Sequence, residues 1–277
     1  MDKQEIITKI IKKKQMVSPL SLSNKDLLKK IIQKKEFSEI PLEDVEKAFS
    51  KFDKELYCDE EKIKKTRDLL RLAYSSCVSG KLLSKKDKEA EWLLRKHLST
   101  RERVPYYKEV YSKCLGGFEK CSVIDLGAGI NGISYNYFLE AGKEVDYVAV
   151  EAVGQLVSLM NDYFKCERIS ARAIHGSLFE LEKIKKIVEE TKKPRIVFLF
   201  KVLDALESLE WNYSKKLLLE LKDCERIVVS FATKSMIKRE NFKVKRYWFE
   251  NFARENFNVR EFLIGNEKYF ILERKED

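Results

Sequence analysis

The sequence predicts an α/β fold, a doubly wound and mostly parallel sheet closed by a C-terminal antiparallel hairpin, preceded by an all-helical segment. Three observations predict it. From about residue 120, short apolar and β-branched runs (SVIDLG, DYVAVE, RAIHGS, RIVFLF, RIVVSFA) alternate with amphipathic stretches, as βαβ units do. The final stretch, NVREFLIGNEKYFILERK, has two strand-like halves around Gly265-Asn266, a hairpin pattern. Upstream of residue 95, glycine is almost absent before Gly80 and apolar residues recur three or four apart, the helical period. The division expected is therefore 1–95 helical and 96–277 α/β.

In order along the chain, Ile6, Ile7, Ile10 and Ile11 begin the helical pattern, and Leu27, Leu28, Ile31 and Ile32 continue it. Ser23 or Asn24 can cap a helix running to about Lys35, Pro41 can sit in the first turn of the next, and Ser84 followed by Asp87 can open another. The first 95 residues hold 23 basic and 17 acidic side chains, so most of the net charge of +10 resides in a third of the length. That asymmetry favours a docking surface for a polyanion. No apolar run reaches the roughly 18 residues a bilayer requires, and the N-terminus mixes charged with apolar residues, so a cytoplasmic protein that avoids membranes is expected. Six scattered cysteines without a Cys-x-x-Cys pair, and only His97 and His175 beside them, read as reduced thiols and predict no metal site.

The run VIDLGAGING (123–132) is an apolar strand followed by glycines at 127, 129 and 132 and a helix beginning near Asn131. Such glycines permit a tight bend and let a ligand approach the backbone. Glu151 closes the next strand, where a carboxylate can accept hydrogen bonds from both ribose hydroxyls of an adenosine. The spacing also fits a dinucleotide site. Asp125 helps decide between the two, because its charge repels a pyrophosphate and favours the ammonium and sulfonium of S-adenosylmethionine; a nucleotide site and a non-binding structural turn are the alternatives.

Upstream stands HLSTRER (97–103). It resembles the His-x-Ser-Thr-x-Glu-Arg segment of the aminoglycoside-resistance ribosomal RNA methyltransferases, which act on guanine N7 in the small subunit. DLGAGINGIS, FLFKVLDALE, SFATKSM, YWFENF and LIGNEKYFIL are similar, in the same order, to further segments of that family, so the likeness covers about 95–273. KKTRDLLRLAYSS resembles its helical N-terminal domain, which grips the ribosomal subunit. The resemblance implies a Rossmann-like S-adenosylmethionine methyltransferase domain, with Arg103 on the methionine carboxylate of the cofactor. His97 and Ser99 would shape that end, Gly127 and Gly129 face it, Glu151 meet the ribose, and Ala128, Leu178 and Phe200 line the pocket. His97 could instead brace a turn, and Arg103 could instead pair with Glu102 or Glu109. Where the family often has an acidic residue for adenine, this chain reads His175-Gly-Ser-Leu, leaving the Ser177 hydroxyl or backbone. Family prolines are also missing at Gly132, Asp204 and Ala232, the mark of a distant relative.

Guanine N7 carries no proton, so no general base is required and alignment carries the reaction. No Asn/Asp-Pro-Pro-Tyr loop follows the fourth strand, which disfavours exocyclic-amine methylation, and no cysteine sits in the setting of cytosine-C5 chemistry. Lys201, at the carboxyl end of that strand, either contacts the target nucleotide or pairs with Asp204 or Glu207. Residues 234–246 carry six basic side chains against one acid, with Phe242 between. They form either an RNA-contacting lid or a solvated loop. In the first case Lys234 and Ser235, which match the family, act at the site, and Lys238, Arg239, Lys243, Lys245 and Arg246 bind phosphates. Trp248 and Phe249 are assigned to a core-facing helix. The expected partner is the small ribosomal subunit or its RNA, engaged by a monomer. A methyltransferase of small molecules or proteins and a non-catalytic assembly factor are the alternatives.

Overall fold

The computed structural model describes residues 22–74, 89–233 and 246–275. Seven strands form one sheet in the order β3-β2-β1-β4-β5-β7-β6. They are β1 Lys120–Leu126, β2 Glu144–Glu151, β3 Ala171–His175, β4 Arg195–Phe200, β5 Arg226–Ala232, β6 Phe257–Ile264 and β7 Glu267–Arg274. The first five pair in parallel, and β7 pairs antiparallel with both β5 and β6. The five apolar runs are thus the five parallel strands; the nearly continuous burial of β1, β4 and β5 reflects helices on both faces, whereas the edge strand β3 buries only Ala173. The chain reverses between β1 and β4, placing the carboxyl ends of these two central strands at the topological switch point, where open α/β sheets bind ligands.

The hairpin turns at Gly265-Asn266 as expected, with Gly265 at φ +57 and the Tyr106 ring packed where a Cβ would stand. A side chain there would meet Tyr106 Cε2 at 2.7 Å, so the turn requires glycine on two counts.

The described helices are α1 Asn24–Ile32, α2 Leu42–Ser50, α3 Asp59–Ala73, α4 Ala90–Lys96, α5 Leu98–Arg101, α6 Tyr107–Cys114, α7 Asn136–Glu140, α8 Gly154–Cys166, α9 Leu181–Glu190, α10 Leu203–Leu209, α11 Tyr213–Glu220 and α12 Tyr247–Asn256. Ser23 caps α1, accepting from the Asp26 N–H at 3.2 Å, but the helix stops at Ile32, short of Lys35. Pro41 occupies the cap of α2 and not its first turn. After the glycine loop the chain makes a 3₁₀ turn, Asn131–Ser134, before α7, where a continuous helix was expected. The patterns read at residues 6–11 and 84–87, and Cys77, lie outside the described residues.

Helices α1–α3 do not stand apart from the sheet. Leu27, Ile31, Phe37, Val45, Ala48, Phe49 and Leu70 join one core with Leu178, Phe179, Leu206 and the β4 and β5 side chains of that face. The opposite face holds a second core containing Leu93 and Leu94 of α4, which runs across position 95 and packs on the 3₁₀ turn. Phe249 is fully buried and Trp248 packs against the first core, as α12 was read. Of the cysteines described, Cys114, Cys121 and Cys224 are buried free thiols, and Cys58 and Cys166 are exposed. No described helix is long and apolar enough to cross a membrane.

Candidate active site

The site begins where β1 ends. Gly127 (φ +71) and Gly129 (φ +57) turn the chain through the left-handed region that glycine enters at no steric cost. A Cβ at Gly127 would lie 2.5 Å from Val202 Cγ2, and one at Gly129 would lie 2.8 Å from His97 Cε1. The backbone is therefore pressed against Val202 and His97, which line the same cavity. Glu151, at the end of β2, ties this loop to the next. Its Oε2 accepts from the Gly129 N–H at 2.7 Å and its Oε1 from the Val153 N–H at 2.9 Å. Burial raises its carboxyl pKa, and these backbone donors work against that rise.

Asp125 is buried and accepts from Tyr147 Oη at 2.6 Å and Asn131 Nδ2 at 2.7 Å. It braces the floor of the loop, and burial again raises its carboxyl pKa. Asn131 in turn offers its Oδ1 to Tyr107 Oη and Arg103, both at 2.9 Å.

Arg103 pairs with neither Glu102 nor Glu109. It reaches Glu267, 164 residues away at the start of β7, donating from Nη2 to Oε1 at 2.8 Å and from Nε to Oε2 at 3.3 Å. Nε also lies 3.2 Å from Tyr269 Oη, and the guanidinium carbon sits 4.6 Å above the Phe200 ring centre. Glu267 also accepts from Ser230 Oγ and pairs with Lys201 at 3.2 Å. Lys201 meets Glu102 at 2.8 Å, which corrects the expected pairing with Asp204 or Glu207. The reason is backbone geometry: Lys201 adopts φ +59 just past β4, which turns its side chain toward α5 and the hairpin. Glu207 instead accepts the Asn212 and Ser214 N–H groups, both at 2.8 Å, and Asp204 pairs with Arg246 at 2.7 Å. Burial and the cations Arg103 and Lys201 push the His97 pKa down to about 3, so the ring under Gly129 is neutral. The same two cations hold Glu267 at about 2 against the desolvation that opposes them.

A cavity of about 470 Å³ opens above this floor. His97, Ser99, Arg103, Asp125, Gly127, Ala128, Gly129, Glu151, Leu178, Phe200 and Lys201 all line it, so sequence positions from 97 to 201 converge as expected. Ser177 does not line it. Its hydroxyl donates to Asp44 of α2 and accepts from the Phe179 N–H at 2.9 Å, so it is turned away from the expected adenine contact. Arg246 is likewise not a free phosphate ligand: it lines the cavity, is clamped to Asp204, and stacks 4.5 Å from the Phe231 ring centre. Lys234, Ser235, Lys238, Arg239, Lys243 and Lys245 lie outside the described residues. Sequence reasoning missed Glu267, Glu102, Asn131 and Tyr269. Glu267 stands in the hairpin motif, but a carboxylate beside a turn carries no local sign of a buried arginine 164 residues away.

Residues 83–268, two thirds of the chain, match the family described as ribosomal RNA methyltransferase (FmrO). A 16S rRNA (guanine(1405)-N(7))-methyltransferase of Proteus mirabilis is 28% identical over 73% of this chain and 79% of its own length. One of the same name from Micromonospora echinospora is 26% identical over 64% of this chain and 63% of its own length. Among solved structures, the 16S rRNA methyltransferase RmtF in complex with S-adenosyl-L-homocysteine superposes with a TM-score of 0.75 at 21% identity, over 92% of this chain and all of that one. The 16S rRNA methylase RmtB gives 0.72 at 16% identity, over 92% of this chain and all of that one. These two structural likenesses speak for the fold, and the family match, which takes in both the glycine loop and Glu267, speaks for descent: this chain belongs to the FmrO family of ribosomal RNA methyltransferases.

Proposed function

We propose that this chain transfers a methyl group from S-adenosylmethionine to N7 of a guanine in small-subunit ribosomal RNA. The observation that carries the reading is the convergence of the glycine loop, Glu151 and Arg103 on one cavity at the switch point of the sheet. The residues fit the cofactor. Gly127 and Gly129 line the cavity without side chains of their own, and Glu151 keeps lone pairs beyond its backbone donors for ribose hydroxyls. Arg103 spends Nε and one N–H on each terminal nitrogen, which leaves two of its roughly five donors for a carboxylate.

When bound, S-adenosylmethionine supplies an electrophilic methyl group on a cationic sulfur. Ser99, Phe200 and Lys201 border the space beside it, where a base turned out of the RNA would enter. With its pKa pushed down to about 3, His97 is a poor proton acceptor, and guanine N7, a lone-pair nucleophile without a proton, requires no base. The protein's part is then alignment and exclusion of water, worth up to roughly 7–11 kcal/mol in favourable cases. Residues 1–95 are proposed to dock the RNA, Lys234 and Ser235 to act beside the target base with Lys201, and Lys238, Arg239, Lys243 and Lys245 to bind phosphates. The enzyme is proposed to work as a cytoplasmic monomer.

The test is transfer of labelled methyl from S-adenosylmethionine to purified small subunits, with Arg103→Ala and Glu151→Ala beside the wild type. Label at guanine N7, lost in both variants, is the expected result. Cofactor binding with every subunit left unlabelled would sink the substrate assignment.

A further inference from the structure

Resting on the cofactor reading above, we infer that the N-terminal helices are part of the cofactor pocket, with Asp44 of α2 the positioning residue that shapes its adenosine side. In the sheet order, Glu151 and the turn after β3 lie on the β2–β3 flank of the glycine loop, opposite the Arg103–Glu267 cluster on the β4–β7 flank. A ribose on Glu151 therefore directs the adenine toward the turn at 176–178.

Two turns on that flank are held by the helical segment. Asp44 is 1% exposed, and its two carboxylate oxygens are divided between the turn after β3 and the helical segment: Oδ1 accepts from Ser177 Oγ, and Oδ2 accepts from Tyr74 Oη at 2.7 Å. Ser177 fixes the Phe179 N–H and so presents Leu178 to the cavity, where its Cδ1 lies 3.6 Å from the Cβ position of Gly127. Tyr74, at the end of α3, lines the cavity itself, together with Leu72 and Ala73. The neighbouring turn is pinned as well. The Glu39 carbonyl accepts from the Gly154 N–H at 3.4 Å and lies 2.7 Å from His175 Nε2, and Gly154 follows Glu151 by three residues.

A carboxylate is seldom buried this far unless its hydrogen bonds repay the desolvation. Burial pushes the Asp44 carboxyl up to about 6 in spite of both hydroxyls, so the group costs stability that a plain packing contact would not. What the bonds secure is the position of two cavity walls, Leu178 and Tyr74, relative to Glu151. The turn directly after β3, His175 to Leu178, carries no carboxylate, and Asp44 supplies one from α2, acting through Ser177 and Tyr74.

Calorimetric titration of the full chain with two probes tests this: S-adenosylhomocysteine, and 5′-methylthioadenosine, which lacks the amino-acid end. Asp44→Asn is expected to weaken both probes by the same factor, about tenfold, the scale of one charge-assisted hydrogen bond. Tyr74→Phe, which removes a single hydroxyl and keeps the ring, is expected to weaken both severalfold (~3–5-fold). Arg71→Ala, which breaks exposed pairs with Glu36 and Asp68 on the same α3, serves as control and should leave both within about twofold. Thermal melting of each variant reports folding, and if Asp44→Asn does not fold, Tyr74→Phe carries the test. Asp44→Asn and Tyr74→Phe binding both probes as the wild type does would overturn the inference and leave the methyltransferase reading intact. So would a loss confined to S-adenosylhomocysteine, which would put the effect at the other end of the pocket. A wild type that binds neither probe would overturn both.

Discussion

His97 sits under the glycine loop between two cations, and the chemistry of that position fixes what acid does to the protein. Its pKa is about 3 against an ordinary 6.5, so between those values the unfolded chain takes up a proton that the buried ring refuses. Stability therefore falls as pH falls from 6.5 toward 3, at up to ~1.4 kcal/mol per pH unit. Asp44, raised to about 6, works the other way from pH 6 downward, because the folded state takes up that proton first. Glu267, held at about 2, contributes stability that is fully present above its ordinary 4.5 and is lost as pH falls toward 2. The difference between wild type and His97→Gln isolates the histidine, since both carboxyls are common to the two chains. Urea midpoints measured from pH 7.5 to 5 are expected to fall less steeply for His97→Gln. Parallel curves would mean that the ring takes up its proton without opening the fold.

At the scale of the element, the turn after β1 has no slack. Gly129→Ala places a methyl group 2.8 Å from the His97 ring and forces an L side chain into φ +57. Its N–H is also the donor to Glu151. Left-handed strain alone costs about 1–2 kcal/mol, and the steric contact adds to it. The expected outcome is a lower melting temperature together with S-adenosylhomocysteine affinity reduced by more than about tenfold. An unchanged affinity in calorimetry would show that the loop does not touch the cofactor. The elements themselves were legible in the sequence, because a strand or helix writes its period over a short window of about 4 to 18 residues. Their ends were less so: α1 stops at Ile32, and the expected helix at Asn131 is a 3₁₀ turn, because Asn131 is held by Asp125, Tyr107 and Arg103.

For the molecule as a whole, the excess of ten positive charges predicts salt-sensitive binding to ribosomal RNA. Each phosphate contact contributes about −0.7 to −0.9 to the slope of log K against log salt concentration. The double variant Lys238→Ala, Arg239→Ala is expected to make that slope shallower by about 1–2. Arg246→Ala should leave it unchanged, because its guanidinium is spent on Asp204 and Phe231. Filter-binding isotherms between low and high salt decide, and a change in slope for Arg246→Ala of about half that of the double variant would return Arg246 to the RNA face.

The sequence by itself determined the five parallel strands, the Gly265 hairpin, the glycine loop with Glu151, and part of the set of side chains that meets at the cavity, without Tyr74 or Asn131 and with Ser177 wrongly included. Each is written in neighbouring residues, as a periodicity, a turn requirement or a motif. Only the tertiary structure decided who answers those side chains: Glu267 for Arg103, Glu102 and Glu267 for Lys201, Asp204 for Arg246, and Asp44 for Ser177. A buried charge must be paired, but any of many carboxylates could meet that need. Sheet order and helix docking make the choice, by bringing together residues 164 and 133 positions apart in the chain.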